Sequence, residues 1–319
     1  FTNETGHDNT AVGYHALQDA KSFKNVAIGS ESMEFATGGG ANTAVGYQTL
    51  RVNTNGQVNI AVGYLSLLDN TEGDFNTGVG GLTLYDNTTG RGNTALGYEA
   101  MMVNETGNYN TGVGKHALNH NRTGSWNTAV GDASGWMSGT SFEYENSAAL
   151  GYFTHITGSN MVRLGHSAIT SIGGYANWTN ISDARFKTDV QEQVPGLAFI
   201  SKLRPVTYHL DMDAIAAFYN DPDSLRLPES EKLKADELQI GFIAQEVEAA
   251  AKELNFDFHG VEVPQNEQSH YGLRYAEFVP SLVKAVQELS AENEKLSARL
   301  DEKDEQIALL LEEMGLLKN

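Results

Sequence analysis

The chain has 319 residues, with 41 acidic side chains against 21 basic ones, a formal charge of -20 and no cysteine. That excess of carboxylates argues against nucleic acid or an anionic membrane surface as a partner, because phosphate binding draws on Lys and Arg. The missing cysteine removes disulfides, thiolate chemistry and Cys-ligated zinc, and it leaves the redox compartment unreadable.

No window approaches the roughly 18 apolar residues that span a bilayer. The opening Phe1-Thr2-Asn3, without an initiator Met or a signal-like apolar run, reads as the continuation of a longer polypeptide. Composition then divides the chain. Of 33 Gly, 28 precede residue 182, whereas all six Pro follow it, so two architectures share one polypeptide.

The first half is a repeat. Asn-Thr-Ala-Val-Gly-Tyr begins at Asn9, and the equivalent Asn recurs at Asn25, Asn42, Asn59, Asn76, Asn93, Asn110 and Asn127, with degenerate copies at Asn146 and Asn160. Three residues after the Asn comes a branched aliphatic, from Val12 and Ile28 through Val130, which predicts a buried stripe. Eight after it comes a longer apolar side chain (Leu17, Met33, Leu50, Leu67, Leu84, Met101, Leu118), so each coil is expected to give two core contacts. The second position after the Asn is Ala or Gly, and the fourth is always Gly. Alternation on a strand turns these small residues away from the aliphatics. A face of Ala and Gly admits another backbone at close range, which predicts several chains around one axis. A period of 17 suits one coil of a β-solenoid of short strands joined by turns such as Asn55-Gly56 and Thr89-Gly90.

These units, over residues 9–165, resemble the left-handed β-roll heads of trimeric autotransporter adhesins and the related repeats of phage tail fibres.

After a neck at 166–181, the segment from Ser182 reads as α+β. A helix is expected near Val194–Leu203, a strand at Val206–Leu210, a helix fragment plus an exposed acidic loop over Asp211–Glu237, a strand at Gln239–Ile243 and a helix from Ala244 to about Leu254. From Val279 the spacing turns to heptads, with Val279, Leu282, Val286, Leu289, Asn293, Leu296, Leu300, Lys303, Ile307, Leu310, Met314 and Leu317 at core positions. This predicts an oligomeric coiled coil, with Asn293 fixing register.

Taken alone, Ser182 and Lys187 are an ordinary pair five residues apart. The ordered motifs Ser182-Asp183-Ala184-Arg185-Phe186-Lys187, Leu203-Arg204-Pro205-Val206-Thr207-Tyr208, Gly241-Phe242-Ile243-Ala244-Gln245-Glu246-Val247 and Tyr275-Ala276-Glu277-Phe278-Val279-Pro280 resemble the peptidase S74 family, C-terminal intramolecular chaperones of phage endosialidases, tailspikes and fibres. The resemblance implies a Ser-Lys dyad in which Ser182 attacks the Ile181 carbonyl and Lys187 takes its proton, releasing 182–319. A Ser hydroxyl is a weak nucleophile, and only a desolvated Lys can serve as its base. Asp183 and Arg185 fill motif positions as a supporting ion pair.

The full expectation is a mainly β solenoid, a trimeric β-roll of 17-residue repeats at 1–165, with a neck at 166–181. An α+β chaperone domain follows at 182–278 and a trimeric coiled coil at 279–319. The protein would be a homotrimeric fibre or adhesin segment, on a virion tail fibre or an extracellular bacterial surface, matured by single-turnover autoproteolysis at Ile181-Ser182. Its further partner would be a host-surface glycan or receptor, with no nucleic acid, membrane insertion, cofactor or metal. Two alternatives stand beside it: a structural trimer that keeps its chaperone, and a hydrolase fibre whose active site lies upstream of Phe1.

Weaker signals read as structure. His116 and His120 are expected as surface residues of the repeat, and Asp211/Asp213 and Asp221/Asp223 as a solvated loop without the Gly and distal Glu of a calcium site. Tyr14, Tyr47, Tyr64, Tyr98 and Tyr109 are expected to stack along the repeat before they contact any glycan.

Overall fold

The structure is a computed structural model and describes residues 6–19, 21–136, 143–313 and 315. Phe1-Thr2-Asn3, Met314 and Leu317 lie outside the described residues. By packing, the chain forms two units, one of 1–172 with 210–237 and one of 173–209 with 238–319.

The first unit is a β-solenoid. Ten three-residue strands, β1 (Thr10–Val12), β2 (Val26–Ile28), β3 (Thr43–Val45), β4 (Ile60–Val62), β5 (Thr77–Val79), β6 (Thr94–Leu96), β7 (Thr111–Val113), β8 (Thr128–Val130), β9 (Ala148–Leu150) and β10 (Val162–Leu164), stack in sequence order into one parallel sheet. The degenerate copies therefore form coils of their own. Register is strict, with Thr43 opposite Ile60, Ala44 opposite Ala61 and Val45 opposite Val62. At ~4.8 Å per strand, nine steps run about 43 Å along the stack.

The repeated Asn explains the strictness. From Asn25 to Asn127 it is buried, and its carboxamide joins the backbone of two adjacent coils. Asn42 Oδ1 accepts from the Asn59 N–H at 2.8 Å, while Asn42 Nδ2 donates to the Gly56 carbonyl at 2.9 Å. The same pair of bonds recurs at Asn59, Asn76, Asn93 and Asn110. A second ladder, eleven residues after the first, links Asn53, Asn70, Asn87 and Asn104 side chain to side chain at 2.7–2.9 Å. Turn backbone that would otherwise be buried without partners is thus satisfied from within the coil.

The two strand faces are inverted relative to the sequence reading. Ala27, Ala44, Ala61, Ala95 and Ala129, two after the Asn, are completely buried against Leu50, Leu67 and their equivalents. The aliphatic column points outward, with Val12 58 % and Leu96 47 % exposed. A 17-residue coil is so narrow that only Ala or Gly fits opposite the long apolar side chain. At Gly112 a Cβ would lie 2.9 Å from Met101 Cγ, so the smallest residue faces the bulky Met. Each coil therefore contributes one large core side chain, not two, and the small face packs on its own chain.

The Gly four after the Asn also serves the coil. Gly29, Gly46, Gly63, Gly80 and Gly114 sit at φ of +131° to +139°, where a Cβ would meet the next coil's Gly carbonyl oxygen at 2.1–2.6 Å. Backbone approach and backbone conformation both require glycine there.

The second unit is small and aromatic. Phe199 on α1 (Leu197–Ile200) packs with Val247 and Ala251 of α4 (Ala244–Glu253), with Phe256 and Phe258, and with Phe278 at the start of α5 (Phe278–Glu313). β11 (Val206–Tyr208) pairs antiparallel with β12 (Gln239–Gly241), and β13 (Val261–Glu262) with β14 (Gly272–Leu273). The first helix is one turn rather than the whole of 194–203. Pro195 and Pro205 flank it and limit its length.

α5 is one helix of 36 residues, about 54 Å at 1.5 Å per residue. Its first turns bury Phe278, Ser281 and Ala285. Beyond them the heptad residues Val286, Leu289, Leu296, Leu300, Ile307 and Leu310 are exposed on the single chain. Among the described residues, no helix is long and apolar enough to cross a membrane.

Candidate functional site

Ser182 and Lys187 are brought together by a single 3-10 turn, Ala184–Phe186. Asp183 caps that turn by accepting from the Arg185 N–H at 2.9 Å, and its carboxylate also takes the Arg185 side chain, Nε at 3.1 Å and Nη2 at 2.6 Å. That contact holds the Asp183 carboxyl below its ordinary value, and Asp183 in turn raises Arg185. The consequence is geometric. The turn reverses the chain and leaves Lys187 Nζ donating to Ser182 Oγ at 2.8 Å. Asp183 and Arg185 thus close the turn that carries Ser182 and Lys187.

Ser182, Lys187 and the adjoining Ile181 are all exposed on the single chain. A Lys accepts the Ser proton only as a free amine, which burial away from water favours. The spacing needed for a nucleophile and base is present, and the desolvation is not supplied by one chain.

The other three motifs converge in the second unit. β11 follows Arg204-Pro205, β12 ends at Gly241, and their antiparallel pairing sets Arg204 beside Glu246 in a two-bond ion pair at 2.5 and 3.1 Å. The Tyr275 hydroxyl accepts from the Phe242 N–H at 3.3 Å, and at Gly241 a Cβ would stand 2.2 Å from that hydroxyl oxygen. Gly196 admits α5 in the same way, since a Cβ there would meet Glu288 Oε2 at 2.5 Å. Glu288 Oε2 also accepts from the Leu197 N–H at 2.8 Å, capping the short helix. Widely spaced motif residues therefore hold one fold. A sequence model of the peptidase S74 family, chaperone of endosialidase, matches residues 182–258. The match covers the Ala184–Phe186 turn, the β11–β12 pair and α4, and a β-solenoid precedes it. Among curated proteins and among solved structures, nothing matches the chain.

The acidic stretch inside that match departs from expectation. The expected helix fragment is α2 (Met212–Tyr219), but in place of the exposed loop after it the chain forms α3 (Pro228–Ala235), and by packing 210–237 joins the roll. Asp211 caps α2 through the Ala214 N–H at 2.9 Å. Asn220, left-handed at φ 51°, ends the helix, followed by Asp221 and Pro222. Asp213 pairs with Arg226 at 2.7 Å, and the buried Glu231 takes Arg226 at 2.6 Å and the Leu227 N–H at 3.0 Å. Asp221 meets His155 of the roll at 2.8 Å, with side chains 3 % and 10 % exposed, so it is not a solvated carboxylate. The sequence reading missed His155, His166 and Tyr219. Its available signal was local: after Trp136 the period breaks, and rings crowd at Tyr152, Phe153, His155 and His166.

His116 pairs with Glu99 at 3.0 Å while the His120 ring packs edge-on against Trp136 at 4.3 Å, so the two rings take separate partners. The Tyr columns stack in part, Tyr47 on Tyr64 at 5.7 Å and Tyr109 on Trp126 at 6.4 Å.

Proposed function

We propose that this protein is a trimeric fibre segment whose C-terminal intramolecular chaperone sets the register of the roll and then cuts itself free between Ile181 and Ser182. The observation that carries the reading is the 2.8 Å contact of Ser182 Oγ with Lys187 Nζ, in a turn within the S74-matched segment. In the proposed step, neutral Lys187 takes the Ser182 hydroxyl proton as Oγ bonds to the Ile181 carbonyl carbon. The C–N bond breaks, the Ser182 amine leaves with a proton, and water then hydrolyses the ester to an Ile181 carboxylate and a free Ser182 hydroxyl.

Two surfaces support three chains. The outward column of Val12, Ile28, Leu96, Val130 and Leu150 forms an apolar stripe along the sheet, and the α5 seam forms another. Either stripe left in water is unfavourable by roughly 25 cal/mol per Å². Equivalent coils also slip by a whole repeat at small energetic cost, because a 17-residue shift preserves every ladder. A trimeric clamp at the C-terminal end removes that ambiguity. Loss of the clamp after folding then traps the rod kinetically.

The exposure of Lys187 on one chain favours a second reading, in which the domain stays attached. The two readings separate on a denaturing gel beside sedimentation. The first expects a trimer and two bands from the wild-type chain but one band from Ser182→Ala. One band from both, still trimeric, supports the second reading. Two bands from Ser182→Ala would mean that another protease cuts the neck.

A further inference from the structure

Residues 210–237 belong by sequence to the piece that follows the Ile181-Ser182 bond, yet by packing they belong to the roll that precedes it. We propose that the last two coils of the roll are a binding surface for this segment, so that cutting the chain leaves the two pieces held together by a latch. The proposal rests on the preceding reading only for where the natural cut falls.

The roll's half of the surface comes from the turns after β9 and β10. Tyr152 donates its hydroxyl to the Leu225 carbonyl at 2.9 Å. The His155 ring stacks on Tyr219 with centroids 4.3 Å apart and planes 17° apart, while its Nε2 meets Asp221 Oδ1 at 2.8 Å. His166 is buried beside Tyr152, and its electrostatic neighbours on the segment are Glu231, Asp221 and Arg226. The segment's half is preformed by its own bonds. The left-handed Asn220 after α2 ends the helix between Tyr219 and Asp221, so ring and carboxylate both reach the same imidazole. Burial pushes the Tyr219 hydroxyl up to about 12, which marks how far water is excluded.

These contacts take only His166 from the neck and nothing from Ile181, Ser182 or Lys187, so hydrolysis of the Ile181-Ser182 bond removes none of them. What it removes is the tether. Docking within one chain proceeds at the high effective concentration of a linked pair, and after the cut the same surface acts between two molecules and separates by dilution. A buried hydrogen-bonded pair of this kind loses most when one partner is removed and the other is left unpaired.

The test supplies its own cut, so the latch and the autoproteolysis fail separately. A site for a sequence-specific protease is placed at Gly173-Gly174, where a side chain meets open space at Gly173 and at Gly174 only ordinary contact with the Ala176 carbonyl oxygen at 3.8 Å, in the full-length Ser182→Ala chain. The chain is nicked and passed over a sizing column at neutral pH and falling concentration. The expected result is co-elution of both pieces, with Asp221→Asn and His155→Gln each raising the dissociation constant at least tenfold and Tyr152→Phe raising it severalfold. Asp236→Asn, whose exposed carboxylate just after α3 pairs with Lys232 at 2.7 Å, should leave it unchanged. Equal circular dichroism of the uncut variants separates lost docking from lost folding. Separation of the nicked parent on the first passage overturns the proposal. So does co-elution that Asp221→Asn and His155→Gln leave as tight as Asp236→Asn.

Discussion

Gly80 and Gly81 are adjacent in one coil, and the structure assigns them opposite sensitivities to the same added methyl group. At Gly80 the backbone stands at φ +137°, and a Cβ would lie 2.6 Å from the Gly97 carbonyl oxygen and 2.8 Å from its carbon. Both obstacles are backbone, so Gly80→Ala requires two coils to part. The parting stretches the bonds that clamp this corner, Gly80 N–H to the Val62 carbonyl at 2.8 Å and Gly97 N–H to the Val79 carbonyl at 3.0 Å. Conformational strain of about 1–3 kcal/mol adds to about 1 kcal/mol for each weakened bond, giving roughly 3–5 kcal/mol. For a unit of this size that lowers the melting temperature by on the order of 10 °C. At Gly81 a Cβ makes ordinary van der Waals contact with Tyr98 Cδ2 at 3.4 Å, Tyr98 Cε2 at 3.7 Å and the Tyr64 carbonyl oxygen at 3.9 Å, and the backbone conformation is one that any residue adopts. Gly81→Ala should move the melt by less than about 2 °C, in either direction. Thermal unfolding by circular dichroism compares the pair directly. Equal melts, or a larger loss at Gly81, would refute the stacking of coils through these glycines.

Asn76→Ala removes an acceptor for the Asn93 N–H and a donor to the Gly90 carbonyl inside the roll, so a loss of about 2–4 kcal/mol is expected in chemical denaturation, against under about 0.5 kcal/mol for Glu72→Ala, whose side chain is exposed. Leu296→Asp should turn the trimer into monomers in sedimentation, because three buried leucines contribute about 6–9 kcal/mol before any cost of placing three carboxylates together. Acid should loosen the roll's C-terminal end. Burial holds His166 below its ordinary 6.5, so the folded state binds fewer protons than the unfolded one; its contribution is full above that value and is lost as pH falls through the depressed one. Hydrogen exchange at Tyr152–Ile169 should therefore accelerate as pH falls below 6.5 more than exchange at Thr43–Val62, after correction for intrinsic rates. Uniform acceleration would contradict this.

The repeat made the solenoid legible because each coil spends the same residues on the same tasks. Asn at one position and Gly four later can be read as a fixed backbone geometry. The direction of the two strand faces was not legible, since alternation shows that Ala44 and Val45 point apart but not which points inward. Coil width decides that, and the width depends on the turns. The second Asn ladder, Asn53 to Asn104, lay in the sequence at the same period, but Asn in turn regions is common enough to conceal a buried role. In the second unit, Ser182 and Lys187 were legible through their motif, and the turn that joins them follows from Asp183 and Arg185. The docking of 210–237 was not, because His155 and Asp221 are 66 residues apart and neither sits in a periodic pattern. A stretch rich in acids reads as solvated until a buried imidazole is found to face it.

The measurement that bears most directly on the account is the mass of the C-terminal piece from wild-type, Ser182→Ala and Lys187→Arg chains prepared identically. The account predicts a wild-type fragment beginning at Ser182 and intact trimers from both variants, because one lacks the nucleophile and the other carries a guanidinium that stays protonated. A fragment beginning at Ser182 and released at the wild-type rate from Lys187→Arg would contradict it.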